Sequence, residues 1–471
     1  MSKMHRFRLA ICSFLACATI AMAAGDDQKQ KLDRQFQLAV AQYDAGQFEE
    51  AAALLEDLLP HVPNNFEVEE LLGLTYSSMS QDSKAIEHLE AAVRLKPDSA
   101  AARTNLAASL SRSGNAEVAG EQFRKALELE PQDYTANHNL GEFYIQAGKI
   151  ADARPLLERA QRINPSSYDN GYDLAMAYFL TGRLSEARQL VQNMMRSNNT
   201  GELHNLLAQI EEKDGKFVNA ANEFGIAAHM DPSEDNLFDW GSELLLHRTY
   251  EPAIDVFRQA TLRYPASARL QIGLGMTLYS RGLYEEAVRA LLAAADLNPS
   301  DPRCYLFLSK AYDSSPNQAE EVIQRFRRYS EREPSNALAQ YYYAMSLWKG
   351  KRAEGSGLDL QAIEALLKKS IELDGKLPEA HMQLGNLYAD QHKYGESIPE
   401  YVRALELNPN LPEAHYRLGT DYVHIGQKDR AQSEFDVYQK LRAQHMAELD
   451  KERAEVQQFV YSAKAVPSTK P

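Results

Sequence analysis

Twelve histidines, three cysteines and 66 carboxylates could in principle ligate metal or move protons in this 471-residue chain, and their spacing decides whether they do. His381 and His415 lie in near-identical segments, PEAHMQLG and PEAHYRLG, 34 residues apart. Duplication of a segment accounts for that pair better than ligation, which needs three or four converging groups. The paired carboxylates Glu285-Glu286 and Glu320-Glu321 fall where helices are expected to begin, and negative charge there complements the helix dipole. The sequence contains no H-E-x-x-H, G-x-S-x-G, phosphate-cradling glycine loop or C-x-x-C. The chain is therefore read as non-catalytic, with no cofactor and no metal.

Composition agrees with a large folded protein: 44% of residues are hydrophobic and 25% are charged. The net charge of −15 argues against nucleic-acid binding, which draws on a basic surface. Lys3, Arg6 and Arg8 precede the apolar run Leu9 to Ala23, which closes on Ala21-Met22-Ala23. The run is short for a membrane span and suits a signal-peptide core, so residues 1–23 are read as a leader cleaved after Ala23. An uncleaved N-terminal anchor is the alternative. A lipid anchor on Cys17 is not expected, because Phe14 stands where the lipoprotein pattern wants an aliphatic residue. Cleavage takes the charge to about −18 and leaves Cys304 as the sole thiol, so stability must come from packing. The expected location is the periplasm or the extracellular space, with no direct membrane span after cleavage.

What positions the remaining residues is a repeat. Pro63, Pro97, Pro131 and Pro165 are spaced at 34 residues; Asn199 fills the next slot, and Pro232, Pro265, Pro299, Pro334, Gly375 and Pro409 continue the series. With that residue as position 32 of each unit, position 8 is small (Gly73, Ala107, Gly141, Ala175, Gly275, Gly385) and position 20 is mostly Ala (Ala51, Ala85, Ala119, Ala153, Ala187). Leu recurs at position 7 and an apolar residue at position 24, with helical i, i+3, i+4 spacing in each half and a Gly or polar turn between. Each unit is thus a helical hairpin whose small residues allow close approach. Residues 24–31 form a polar linker, 32–443 about twelve hairpins, and 444–471 a polar capping helix and tail, the last residues of which are expected to be disordered.

Leu140, Gly141, Tyr144, Ala153, Leu157, Ala160 and Pro165, and again Leu384, Gly385, Tyr388, Ser397, Tyr401, Ala404 and Pro409, resemble the tetratricopeptide repeat. The resemblance implies an all-α, right-handed superhelical solenoid. It also implies a concave groove lined by positions 2, 5, 9, 12 and 13 of the first helices, where family members hold protein or peptide segments. Read that way, Phe238, Leu245, Arg269, Ile272, Met276, Tyr279, Arg303, Tyr341, Met345 and Trp348 line a partner-binding groove, unless these side chains turn into inter-repeat packing. Asn105, Asn139, Asp173 and Asp239, all at position 6, could form a polar ladder toward a ligand backbone, although Asn is common there. Seven extra residues around 351–357 are expected to protrude as a loop, and the divergent stretch 300–375 to be a weak joint.

The expected function is an exported, non-catalytic interaction scaffold in envelope assembly, secretion or export. The alternative is a glycan- or lipid-binding, or regulatory, subunit of an envelope enzyme complex.

Overall fold

The computed structural model describes residues 26–314, 318–354 and 359–465; the leader 1–23 and the tail 466–471 lie outside them. Twenty-four α-helices and no strand occur among the described residues, in two compact units divided between Asp214 and Gly215. The first unit runs α1 (Asp26–Asp44), α2 (Phe48–Leu58), α3 (Phe66–Ser78), α4 (Asp82–Leu95), α5 (Ala100–Arg112), α6 (Ala116–Leu129), α7 (Tyr134–Gln146), α8 (Ile150–Ile163), α9 (Tyr168–Leu180), α10 (Leu184–Met195) and α11 (Gly201–Lys213). The second runs α12 (Phe217–Met230), α13 (Glu234–Leu246), α14 (Tyr250–Arg263), α15 (Ala268–Arg281), α16 (Tyr284–Leu297), α17 (Pro302–Ser314), α18 (Ala319–Arg332), α19 (Ala337–Glu354), α20 (Leu360–Leu373), α21 (Pro378–Asp390), α22 (Tyr394–Leu407), α23 (Pro412–His424) and α24 (Lys428–Ala465).

The local chemistry repeats with the helices. Asn65, Ser99, Asp133, Ser167, Thr200, Ser233 and Ser267 each cap the odd-numbered helix that follows, accepting a hydrogen bond from a backbone N–H in its first turn. The turns within the described hairpins hold one left-handed residue, usually glycine, as at Gly148 (φ 71°). The small residue at position 8 sits against position 24 across the hairpin: a Cβ on Gly275 would stand 2.5 Å from Leu291 Cγ. Odd-numbered helices of successive hairpins also pack on one another, α1 on α3, α3 on α5, α5 on α7, α7 on α9 and α9 on α11. Even-numbered helices of the first unit stand further apart. In the first unit this asymmetry curves the layer and makes the odd-numbered helices the inner, concave face; in the second, α13, α15, α17 and α19 pack in the same series, and α16 also packs on α18.

Three expectations are refined. Helix α1 begins at Asp26, so most of the stretch read as a linker is helical. The extra residues after position 13 do not all leave the hairpin: Lys351–Glu354 prolong α19, as good helix formers should, and only 355–358 lie outside the described residues. The capping helix runs on from the last hairpin as α24, which continues without a break through Ala465. In the divergent stretch, α17 and α18 have sparse backbone contact, and large side chains fill the space: Tyr305 stacks on Tyr329 at 3.9 Å and lies 5.9 Å from Phe326.

Candidate interaction surfaces

The predicted groove residues all lie on the inner helices α13, α15, α17 and α19 of the second unit, at different depths. Phe238, Leu245, Met276, Tyr279 and Tyr341 are half-buried. Ile272, Met345 and Trp348 are buried, the last two to 6% and 7% exposure; Met345 and Trp348 pack with Ile363, Leu367, Leu384 and Tyr388. The two arginines are occupied. Arg269 lies over the Phe238 ring at 4.6 Å and pairs with Asp235 at 2.7 Å and Glu234 at 3.2 Å, whereas exposed Arg303 pairs with Asp301 at 2.6 Å. The accessible strip is therefore aromatic and thioether in character, with Leu306 exposed beside it. Burial holds the Tyr341 phenol well above its ordinary range, and the nearby carboxylates of Asp313, Glu379 and Glu413 raise it further. Tyr279 is raised by burial, then by Tyr284 and Asp313. Asp313 is itself paired with Lys349.

The polar column divides. Asn105 and Asn139 are completely buried in the first unit, whereas Asp173, and Asp239 in the second, are half-buried. The histidine pair has a structural role. His381 Nδ1 lies 2.6 Å from Glu400 and His415 Nδ1 lies 2.6 Å from Glu434, the same bond made twice by equivalent residues. Among the described residues no group of three or more His, Cys, Asp or Glu could hold a metal ion, and no helix is long and apolar enough to cross a membrane.

Two carboxylates on the inner face of the first unit went unread in the sequence. Glu70, at position 5 of its hairpin, is 1% exposed, and its Oε1 has no hydrogen-bond partner. Burial pushes this acid up to about 7, against a smaller lowering by Lys96 and a raising by Glu67. Glu142, at position 9, accepts from Gln146 at 3.2 Å on one oxygen, while its other oxygen is buried without a partner. Burial again pushes it to about 7, and Asp169 adds to the effect. Position in the repeat was the signal available for both, since positions 5 and 9 are among those the resemblance assigns to the groove.

Sequence profiles of the tetratricopeptide repeat match residues 36–100, 71–134, 110–165, 145–210 and 238–302, and a TPR repeat profile matches 385–423. The chain belongs to the tetratricopeptide repeat family, and each unit is an α-solenoid of that type. No curated protein sequence matches it. Among solved structures, yeast Tom70 is 15% identical with a TM-score of 0.37, covering 92% of this chain and 98% of that one. Pseudomonas aeruginosa PilF is 20% identical with a TM-score of 0.38, covering 44% of this chain and 95% of its own. YrrB, described as a TPR protein with an unusual peptide-binding site, is 20% identical with a TM-score of 0.33, covering 39% and 96%.

Proposed function

We propose that the chain is an exported, non-catalytic scaffold that holds segments of other proteins along the inner face of its second unit, in envelope assembly, secretion or export. Tetratricopeptide arrays serve protein–protein interaction, and membership of the family supports that general role. The observation that carries the groove is the set Phe238, Met276, Tyr279 and Tyr341, half-buried on the inner helices α13, α15 and α19, with exposed Leu306 on α17 between them. Aromatic rings bring contact area at low entropic cost, and methionine adapts to irregular partners. Export rests on the leader pattern of residues 1–23.

A photo-crosslinking residue placed at Tyr279 of the full chain, in cells that naturally make it, should capture discrete polypeptides. Tyr341→Ala with Phe238→Ala should abolish the capture. Unchanged capture in that double variant overturns the groove, and a retained glycan or lipid in place of polypeptide overturns the scaffold reading. The exported form should begin at Ala24 on N-terminal sequencing.

A further inference from the structure

The inner helices of the first unit hold rings and a thioether of their own, Tyr172, Met176 and Phe179 on α9, and beside them a series of carboxylates. At position 2 its six inner helices carry Asp33, Glu67, Ala101, Thr135, Asp169 and Glu202, with no lysine or arginine among them. Glu70 and Glu142 add carboxylates at positions 5 and 9. At the inner-face positions the cations are Arg112 and Lys213, both at position 13 near the turns, and both are engaged. Arg112 pairs with Asp82 at 2.7 Å, and Lys213 donates to the Phe179 carbonyl at 3.1 Å while lying 4.6 Å from that ring. Lys96, near enough to act on Glu70, lies 5.2 Å from the Phe66 ring and forms no ion pair with Glu70 among the described residues. By contrast, position 2 in the second unit mixes signs, with Arg269 and Arg303 beside Asp235, Glu379 and Glu413.

A buried carboxylate oxygen without a partner is costly, because desolvation is not repaid by a hydrogen bond or an opposite charge. Glu70 bears that cost with 1% exposure, and Glu142 bears it on one of its two oxygens. A cation arriving from the concave side supplies what both lack. We propose that the inner face of residues 26–214 binds a lysine- or arginine-bearing extended segment of a partner protein, with Glu70 and Glu142 each receiving one cationic side chain.

The geometry sets the spacing. Glu70 on α3 and Glu142 on α7 are two inner-helix steps apart, roughly 20 Å at the usual interaxial distance of about 10 Å. An extended chain covers that in about six residues. The long stems of lysine and arginine reach a carboxylate below the surface while the backbone stays in the groove. Among the described residues no convergent donor set could hold a metal ion, and two carboxylates two inner helices apart suit two cationic side chains on one extended segment.

The test is fluorescence anisotropy on the full chain. The probe is a labelled Gly-Ser peptide of about twelve residues carrying two arginines about six apart, and the control peptide has glutamates at those positions. The arginine peptide should bind, weakening as salt rises, and the control should not. Glu70→Gln and Glu142→Gln should each weaken binding by about tenfold, the scale of one charge-assisted hydrogen bond. Glu121→Gln, on the outer helix α6, should leave it unchanged. Circular dichroism of each variant separates lost binding from lost structure. Equal binding of the arginine peptide by the wild-type chain and both inner-face variants overturns the assignment. So does tight, Glu70-dependent binding of free spermine without binding of the peptide, which would make the ligand a small polyamine. The aromatic strip of the second unit is a separate surface, so Tyr341→Ala with Phe238→Ala should leave this binding intact, and either proposal can fail alone.

Discussion

Glu70→Gln should stabilise the first unit above neutral pH, an effect opposite in sign to most buried substitutions. The magnitude follows from the displaced ionisation. An acid held at about 7 in the folded chain, against its ordinary 4.5, costs on the order of 3 kcal/mol when the unfolded state is free to ionise. At 1% exposure solvent screening offers no discount. The sign depends on which state holds the proton. Below about pH 4.5 both states are protonated and the penalty is absent. Between about 4.5 and 7 the unfolded chain loses its proton while the folded one keeps it, so stability falls as pH rises. Above about 7 the penalty is complete and constant. Glutamine has nearly the same shape and no charge, so the variant should match the wild type near pH 4.5 and exceed it at pH 8 by about 1–3 kcal/mol, the lower bound allowing for an imperfectly bonded buried amide. Long repeat arrays need not unfold in one step, so the assay is hydrogen exchange of α3 to α5 at pH values from 4.5 to 8, corrected for intrinsic rates, with urea unfolding by circular dichroism alongside. A variant no more stable than wild type at pH 8, with the same downward slope between 4.5 and 7, refutes the reasoning about this carboxylate.

Two further outcomes follow from packing and burial. Gly275→Val places a branched side chain where even a Cβ would stand 2.5 Å from the Cγ of fully buried Leu291, and should cost about 2–3 kcal/mol, read as a lower urea midpoint for the second unit. Cys304 is fully buried, donates to the Asp301 carbonyl at 2.9 Å, and has its thiol pushed up to about 12 by burial first and Asp301 second. It should therefore not react with a thiol reagent at pH 8 until the chain is unfolded; prompt reaction of the folded chain refutes its placement. With residues 1–23 removed as proposed, the same titration in denaturant should count one thiol, against three for the full sequence, and three in the chain recovered from cells overturns the proposed cleavage.

The hairpins were legible because close packing leaves a periodic trace. Gly141, Gly275 and Gly385 stand in register since each faces a bulky partner across its hairpin, Leu157, Leu291 and Tyr401. No comparable force writes the ends of elements. The extra residues beginning at Lys351 looked like a loop because they interrupt the period, yet Lys, Arg, Ala and Glu favour helix and α19 runs on to Glu354. The stretch before Leu32 looked like a linker because it is polar, and a polar first turn is what an exposed helix start presents. Depth was also hidden. Trp348 and Tyr341 share a face by spacing, but neighbouring helices cover Trp348 and leave Tyr341 half open, and spacing within one helix carries no record of its neighbours.

The carboxylates show the same limit with more consequence. In FEVEELLG, Glu69 and Glu70 are adjacent and chemically identical, yet they meet opposite fates. Glu69 finds His88 across the hairpin at 2.7 Å, whereas Glu70, one residue on, turns under the inner face with a bare oxygen. A helix rotates about 100° per residue, so adjacent positions face different neighbours, and a run of acids in sequence is not one surface. Residues that keep the repeat in register, such as Gly141 against Leu157, are the same from hairpin to hairpin and carry no information about a particular partner. What distinguishes one hairpin from the next is what its inner positions hold. In the second unit these are rings and thioethers that leave apolar area to be covered. In the first, rings such as Tyr172 and Phe179 stand beside two acids, Glu70 and Glu142, each with a buried oxygen that no hydrogen bond satisfies. The two units are therefore expected to select their occupants by different physics, the aromatic strip with little dependence on salt and the acidic face with strong dependence.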